Sequence, residues 1–225
     1  MIVDAHCHIG QGIIKSSTAE QLIKTMRLCK VDKAVICPVE EQIAVYNREG
    51  NNFIAETVGK YPDKLIGFAV SNPWYGKAAV EELHRALSLG LKGLKINSAL
   101  QGFPINDELV YPLIETVQRH KVPVYVHSGT PDYSLPFEVL DLAIEFPETT
   151  FIMGHMGFVD HYWPMAVQSA EKSDNIVLET SHVSFIGELE TAITSVGPER
   201  VVFGSDSPMS KMDLELAKIR GLQLE

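Results

Sequence analysis

The chain has 225 residues, 45% of them hydrophobic and 21% charged, a length and composition that suit one globular domain with a full hydrophobic core. With 19 basic and 29 acidic residues, its formal net charge of −10 argues against nucleic acid or an anionic membrane as the main partner. Cys7, Cys29 and Cys37 are too scattered for a disulfide framework, and the N-terminus lacks a signal peptide's basic and apolar segments, so we expect a cytoplasmic protein with reduced thiols.

Short apolar segments alternate with longer amphipathic segments along the whole chain. The apolar segments are rich in Val, Ile and Phe, as buried parallel strands are. The eight predicted strands are residues 2–6, 33–38, 65–70, 91–96, 122–127, 150–155, 175–179 and 200–205. None approaches the roughly 18 apolar residues that a membrane span needs.

The amphipathic segments between the strands predict helices. Thr18 is the expected N-cap of the first helix, residues 19–29, and Gln21 would complete a capping box. The other predicted helices are residues 76–89, 107–120, 135–146, 161–172, 185–196 and 212–219.

This alternation predicts a parallel sheet with helical crossovers in a single α/β domain of residues 1–225. Eight strands favour a closed (β/α)8 TIM barrel over an open sheet, and the first strand lacks the Gly-rich phosphate turn of an open dinucleotide-binding sheet. Because only about one helix of sequence follows the eighth strand, we expect the barrel to have a short C-terminal end.

Ionisable side chains fall at the carboxyl ends of four predicted strands. His6 and His8 point the same way because strand side chains alternate, so both can share one ion. His127 ends the fifth strand, His155 ends the sixth, and Asp206 follows the eighth. A lone histidine at a strand end is usually structural, but five such groups at one mouth, where barrel active sites lie, indicate a metal site.

Four segments resemble the amidohydrolase superfamily, in particular its amidohydrolase family 2 branch: VDAHCHIG, VPVYVHSGTP, FIMGHMG and VVFGSDSP. The resemblance covers nearly the whole chain in the expected order. It implies one divalent metal ion, usually zinc, with the ligands His6, His8, His127 and Asp206. Manganese, cobalt or iron would also suit these donors, and a second metal is not expected. Relatives usually carry a further helix beyond the point where this chain stops.

We therefore predict a metal-dependent hydrolase that acts on a small carbonyl substrate, an amide, ester or lactone. The ion would lower the pKa of a bound water toward about 7. Asp206 is the candidate general base and proton shuttle. His155, which in the family either binds a second metal or contacts substrate and water, is the candidate for orienting the water or polarising the substrate.

Two other functions stay open. The same family branch includes metal-dependent non-oxidative decarboxylases of aromatic or unsaturated carboxylic acids. A decarboxylase would want a cation for the leaving carboxylate, and the basic candidates, Lys95 and Arg48, are few, which favours hydrolysis. The third function is that of an inactive metal-binding relative. We expect a small molecule as the partner, with homodimerisation left open.

Three features near the predicted mouth have more than one interpretation. Lys95, near the end of the fourth strand, is expected to pair with a barrel acid or a substrate carboxylate rather than bridge two metals. His182 fits a pocket and a solvated loop equally well. The loop of residues 97–106 is long enough for a lid, in which Phe103 would touch substrate.

Overall fold

A computed structural model describes residues 1–158 and 161–223 of the chain. All eight predicted strand positions are confirmed, and the third is divided in two. The strands are β1 (Val3–His8), β2 (Lys33–Cys37), β3 (Leu65–Gly67), β4 (Ala69–Val70), β5 (Leu94–Ile96), β6 (Val124–His127), β7 (Phe151–Gly154), β8 (Ile176–Glu179) and β9 (Val201–Val202). Every named pair of neighbouring strands is parallel.

Strands β3 and β4 are two halves of one barrel strand. The Phe68 backbone N–H donates to the Ile36 carbonyl at 2.9 Å, which lies on the β2 side. One residue later, the Ala69 N–H donates to the Gly93 carbonyl at 2.8 Å, just before β5. The chain thus changes hydrogen-bonding partner here and joins the sheet β1–β2–β3 to the sheet that runs from β4 to β9.

Backbone hydrogen bonds also join β1 to the segment after β9. The Ala5 N–H donates to the Phe203 carbonyl at 2.8 Å, and the Asp206 N–H donates to the His6 carbonyl at 2.8 Å. Cys7 and Ser207 form a parallel bridge between the same two segments. These contacts close the ring, so the predicted α/β barrel of eight parallel strands is confirmed.

Ten α-helices lie in the described parts of the chain. They are α1 (Ala19–Cys29), α2 (Glu40–Ala44), α3 (Asn47–Lys60), α4 (Lys77–Ser88), α5 (Ser98–Gln101), α6 (Tyr111–His120), α7 (Pro136–Glu145), α8 (Trp163–Lys172), α9 (Ile186–Val196) and α10 (Met212–Arg220). The predicted capping box is present, since the Gln21 N–H donates to Thr18 Oγ1 at 3.2 Å and the Thr18 N–H to Gln21 Oε1 at 2.9 Å. No helix within residues 1–158 and 161–223 has the length and apolar character to cross a membrane.

The region between β2 and β3 differs most from expectation, because α2 and α3 were not predicted there. Helix α3 is rich in Asn and Gly, which are poor helix formers in isolation. Tertiary contacts fix it: Asn51 is fully buried, donates to the Val70 carbonyl at 2.9 Å and accepts from the Val70 N–H at 2.8 Å. An asparagine side chain thus pins this helix to β4.

The predicted substrate contact of Phe103 is wrong. Its side chain is only 1% exposed and packs in the main hydrophobic core. The segment of residues 97–106 begins with α5 instead, and Asn97 caps that helix by accepting from the Leu100 N–H at 3.2 Å. At the other end, the predicted domain runs to residue 225, and residues 224–225 lie outside the described residues.

Candidate metal centre

The carboxyl end of β1 presents two imidazoles to one point, as the alternation of strand side chains predicted. His6 Nε2 and His8 Nε2 lie 3.2 Å apart, and both side chains are buried. Cys7 points the other way and packs in the main core. His8 Nδ1 lies 2.7 Å from the Pro38 carbonyl and donates to it, which directs Nε2 toward His6.

Asp206 completes this group from the opposite end of the sequence. Its Oδ1 lies 3.2 Å from His6 Nε2 and 3.3 Å from His8 Nε2, yet makes no hydrogen bond within the described residues although it is buried. A buried carboxylate oxygen facing two imidazole nitrogens is poorly satisfied without a cation. The donor set therefore fits a divalent ion such as zinc or manganese.

Protonation of this group follows from burial and charge. Burial alone would raise the pKa of Asp206, but the hydrogen bond with His182 and the close His6 imidazole hold it well below its usual value. Burial alone would lower the pKa of His8, but Cys37 and Asp206 raise it to about 10. A metal has to displace that proton, so metal affinity should fall as the pH falls.

His127 lies beside His155 rather than within the close group. His155 Nε2 is 3.0 Å from His127 Nδ1, and His155 Nδ1 is 2.7 Å from Ser181 Oγ. Burial lowers the pKa of both histidines, to about 3 for His127 and well below its usual value for His155. Both are therefore neutral imidazoles at neutral pH, the form that binds metals. His155 also lies near His6 and Asp206: one nitrogen or oxygen atom of each of the three side chains lies within 4.8 Å of the other two.

Lys95 lies beside the ligand group as a buried cation. Its Nζ is 3.3 Å from His6 Nε2 and 4.1 Å from the centre of the Tyr125 ring, which stacks on His6. Burial lowers the pKa of Lys95. Among the described residues Lys95 forms no salt bridge with a barrel acid and contacts an imidazole and an aromatic face instead, while its expected pairing with a substrate carboxylate stays a prediction.

Sequence reasoning missed a buried carboxylate next to this group. Glu179, at the end of β8, is fully buried, accepts from Tyr125 Oη at 2.7 Å and from the His155 N–H at 3.1 Å. Its position at the carboxyl end of a strand was the available signal. Of the two interpretations of His182, the structure supports a pocket residue over a solvated loop residue, because His182 Nε2 lies 2.8 Å from Asp206 Oδ2.

Three site residues adopt left-handed backbone conformations that are unusual outside glycine. The φ angles are 63° for His155, 62° for His182 and 48° for Asp206. Each such residue costs on the order of 1–3 kcal/mol, and conformations of this kind cluster at functional sites. These three are among eight non-glycine residues with a positive φ in the described chain, so the strain includes the site without being confined to it.

A cavity of about 290 Å³ opens directly onto these side chains. Its polar floor consists of His8, His127, His182 and Asp206. Its apolar walls consist of Ile14, Ile43, Leu100, Phe158 and Met209. Glu40 and Asn97 complete the lining. A larger cavity of about 480 Å³ lies against α1 and α3, away from the candidate ligands.

We expect Glu179 to make the unfolding free energy depend on pH. Burial raises the pKa of Glu179 from 4.5 to about 7, although hydrogen bonds from Tyr125 and Ser181 oppose this. Because the folded-state pKa is the higher one, the stabilisation is present below pH 4.5 and is lost as the pH rises through 7. Between pH 5 and pH 8 the wild type should therefore lose about 3 kcal/mol more of its unfolding free energy than Glu179→Gln does, because the other titrating groups contribute to both proteins.

Urea denaturation of the metal-free protein at pH 5 and pH 8 measures this difference. Glu138→Gln, which changes an acid near the start of α7 outside the site, should keep the wild-type pH dependence. Equal losses in wild type and Glu179→Gln would contradict the assignment.

Comparison with known protein families identifies the family of the chain. The family model described as Amidohydrolase matches residues 3–225. The chain belongs to the amidohydrolase family, in the branch that its four segments resemble.

Individual relatives of the chain are decarboxylases. It is 25% identical over 217 residues to the gamma-resorcylate decarboxylases of Rhizobium sp. (strain MTP-10005) and Polaromonas sp. (strain JS666 / ATCC BAA-500). These alignments cover 74% of this chain and 66% or 67% of those proteins, so the chain spans about two thirds of their length.

Solved structures confirm the barrel fold. A 2,6-dihydroxybenzoate decarboxylase complexed with 2,6-dihydroxybenzoate has a TM-score of 0.80 at 18% identity, over 100% of this chain and 94% of that chain. A dihydroxybenzoic acid decarboxylase from Polaromonas sp. JS666, with bound manganese and 2-nitroresorcinol, has a TM-score of 0.78 at 18% identity, over 100% and 92%.

The prediction of a hydrolase is wrong, since the relatives are decarboxylases. It depended on the scarcity of cations for a leaving carboxylate. The structure keeps both candidates off the cavity lining: Lys95 contacts His6, and exposed Arg48 pairs with Glu82 at 3.6 Å. The inference failed because a carboxylate that leaves as neutral CO2 gains from apolar surroundings, whereas a paired cation stabilises the substrate's charge.

Proposed function

We propose that the protein is a metal-dependent non-oxidative decarboxylase of a small aromatic or unsaturated carboxylic acid. The observation that carries the proposal is the alignment over 217 residues with gamma-resorcylate decarboxylases. The proposed ligands of one divalent ion are His6, His8, His127 and Asp206. Their imidazole and carboxylate donors suit zinc and manganese alike.

The cavity suits a small substrate with an apolar ring. Its walls are apolar, and its polar groups lie together on the floor. When bound, the ion would serve as a Lewis acid for oxygen atoms of the substrate. The walls Ile43, Leu100 and Phe158 would hold the ring and exclude water from the carbon that loses its carboxylate.

Decarboxylation replaces a carboxylate with hydrogen, so the site has to supply one proton to the carbon. His182 Nε2 lies 2.8 Å from Asp206 Oδ2, and the hydrogen bond to Asp206 raises the pKa of His182. The pair therefore holds a proton at the cavity floor. We assign Asp206 to pass this proton to the substrate carbon and His182 to supply it, while the C–C bond breaks and CO2 leaves.

Release of CO2 tests the proposal. The purified protein, loaded with Mn²⁺ or Zn²⁺ and assayed against hydroxybenzoic acids that include 2,6-dihydroxybenzoate, should release CO2 and form the matching phenol in equal amounts. Protein stripped with a chelator is the control, and elemental analysis should find one ion per chain. A tightly held metal without CO2 release from any acid of the panel would favour an inactive metal-binding relative instead.

A further inference from the structure

A chain of hydrogen bonds runs from Glu179 to His127 behind the cavity. Both oxygens of the fully buried Glu179 carboxylate accept: Oε1 from the Ser181 N–H at 2.7 Å, and Oε2 from Tyr125 Oη at 2.7 Å, Ser181 Oγ at 2.9 Å and the His155 N–H at 3.1 Å. A carboxylate surrounded by donors in this way fixes the direction of each bond. The single hydrogen of the Ser181 hydroxyl therefore points to Glu179.

The direction of the Ser181 hydrogen bond determines which ring nitrogens of His155 and His127 carry a hydrogen. Because Ser181 Oγ has donated its hydrogen, it accepts at its 2.7 Å contact with His155 Nδ1, which carries the N–H. A neutral imidazole has one N–H, so His155 Nε2 is an acceptor. The 3.0 Å contact between His155 Nε2 and His127 Nδ1 then requires His127 to donate from Nδ1.

We propose that Glu179 and Ser181 are positioning residues that hold His155 and His127 in the Nδ1–H tautomer, and so leave His127 Nε2 without a hydrogen. An imidazole nitrogen binds a metal through its free lone pair, and the hydrogen bond made by the other nitrogen selects which one is free. The inference rests on the proposed function in one respect, the choice of His127 as a ligand. It gives buried His155 a defined task, since the described lining of the cavity includes His127 but not His155.

The same logic holds on the other side of the site. His8 Nδ1 donates to the Pro38 carbonyl at 2.7 Å, which leaves His8 Nε2 facing His6 and Asp206. For His8 a backbone carbonyl selects which ring nitrogen is free. For His127 a buried carboxylate does so through a serine and a second histidine. Only the longer chain can be interrupted by deleting a single side-chain hydroxyl.

The Ser181→Ala variant interrupts the chain between Glu179 and His155. Long-range ¹H–¹⁵N correlation spectra of ¹⁵N-histidine-labelled, metal-free protein at pH 8 report the tautomer of each imidazole. The wild type should show Nδ1–H for both His155 and His127, and Ser181→Ala should lose this preference in both. Mn²⁺ and Zn²⁺ should bind Ser181→Ala up to about 10-fold more weakly, because removing a direct partner of a ligand costs 10- to 100-fold and Ser181 acts through one further imidazole.

Ser169→Ala is the matched control, because Ser169 is also fully buried but bonds to the Met165 and Pro136 carbonyls, away from the site. It should keep wild-type tautomers and metal affinity. The proposal is overturned if wild-type His155 or His127 carries its hydrogen on Nε2, a result that needs no variant to fold. It is also overturned if Ser181→Ala leaves tautomers and affinity unchanged. Absence of CO2 release together with Nδ1–H tautomers would contradict the proposed function alone.

Discussion

The Asp206→Asn variant should lose at least about 99% of CO2 release and bind its metal at least about 100-fold more weakly. Removing a group that only orients a ligand lowers metal affinity or activity by about 10- to 100-fold. Removing a ligand itself should therefore lower them by about 100-fold or more. Asparagine supplies no negative charge to the two imidazoles beside it, and its amide cannot pass a proton from His182 to the substrate. One substitution thus removes both proposed tasks of this side chain.

Metal content by elemental analysis and CO2 release at saturating metal separate the two tasks. If saturating metal restores occupancy but not activity, the proton-transfer task of Asp206 is supported independently. Asp63→Asn, at an exposed turn before β3, is the control and should match the wild type. Full activity and full occupancy in Asp206→Asn would overturn the assignment.

The Gly204→Ala variant should destabilise the fold by about 3 kcal/mol or more, because overpacking a core and breaking a buried polar network both contribute. A Cβ at Gly204 would lie 1.9 Å from Glu179 Oε1, far inside van der Waals contact. Four hydrogen bonds hold Glu179 in place, so the carboxylate can yield only by breaking them. The displaced carboxylate should also weaken metal binding through Ser181.

Chemical denaturation of the metal-free protein measures this effect. Gly59→Ala is the control, since Gly59 is an exposed residue of α3 and a Cβ there meets nothing within 4 Å. Alanine is the better helix former, so this change should stabilise by about 0.5–1 kcal/mol. A loss smaller than about 1 kcal/mol in Gly204→Ala would mean that Glu179 has room to move.

The strands and the positions of the first candidate ligands could be predicted because their signals are local. A buried parallel strand is a continuous apolar run, and strand alternation alone places His6 and His8 on one side with Cys7 on the other. Strand ends at one barrel mouth then bring in the other polar groups. The capping box of α1 is equally local, and it is confirmed bond by bond.

The remaining features depend on contacts between distant parts of the chain. Helix α3 is held by Asn51 against β4, which its own composition does not reveal. The role of Glu179 depends on Tyr125, 54 positions earlier, and on the space that glycines leave. The prediction of hydrolysis failed because the ligand set is common to hydrolases and decarboxylases, and the alignments with decarboxylases carry information that a single sequence does not.

Closure of the barrel has a kinetic consequence for metal binding. The Ser205 N–H donates to Asp4 Oδ1 at 2.9 Å across 201 positions of sequence, and the proposed ligands His6 and Asp206 lie beside this bond. The centre therefore exists only after the last strand has docked on the first, a long-range step of the kind that makes folding slow. A divalent ion should accordingly bind only the closed barrel, raise its stability by about 2.7 kcal/mol at 100 times its Kd, and act mainly by slowing unfolding.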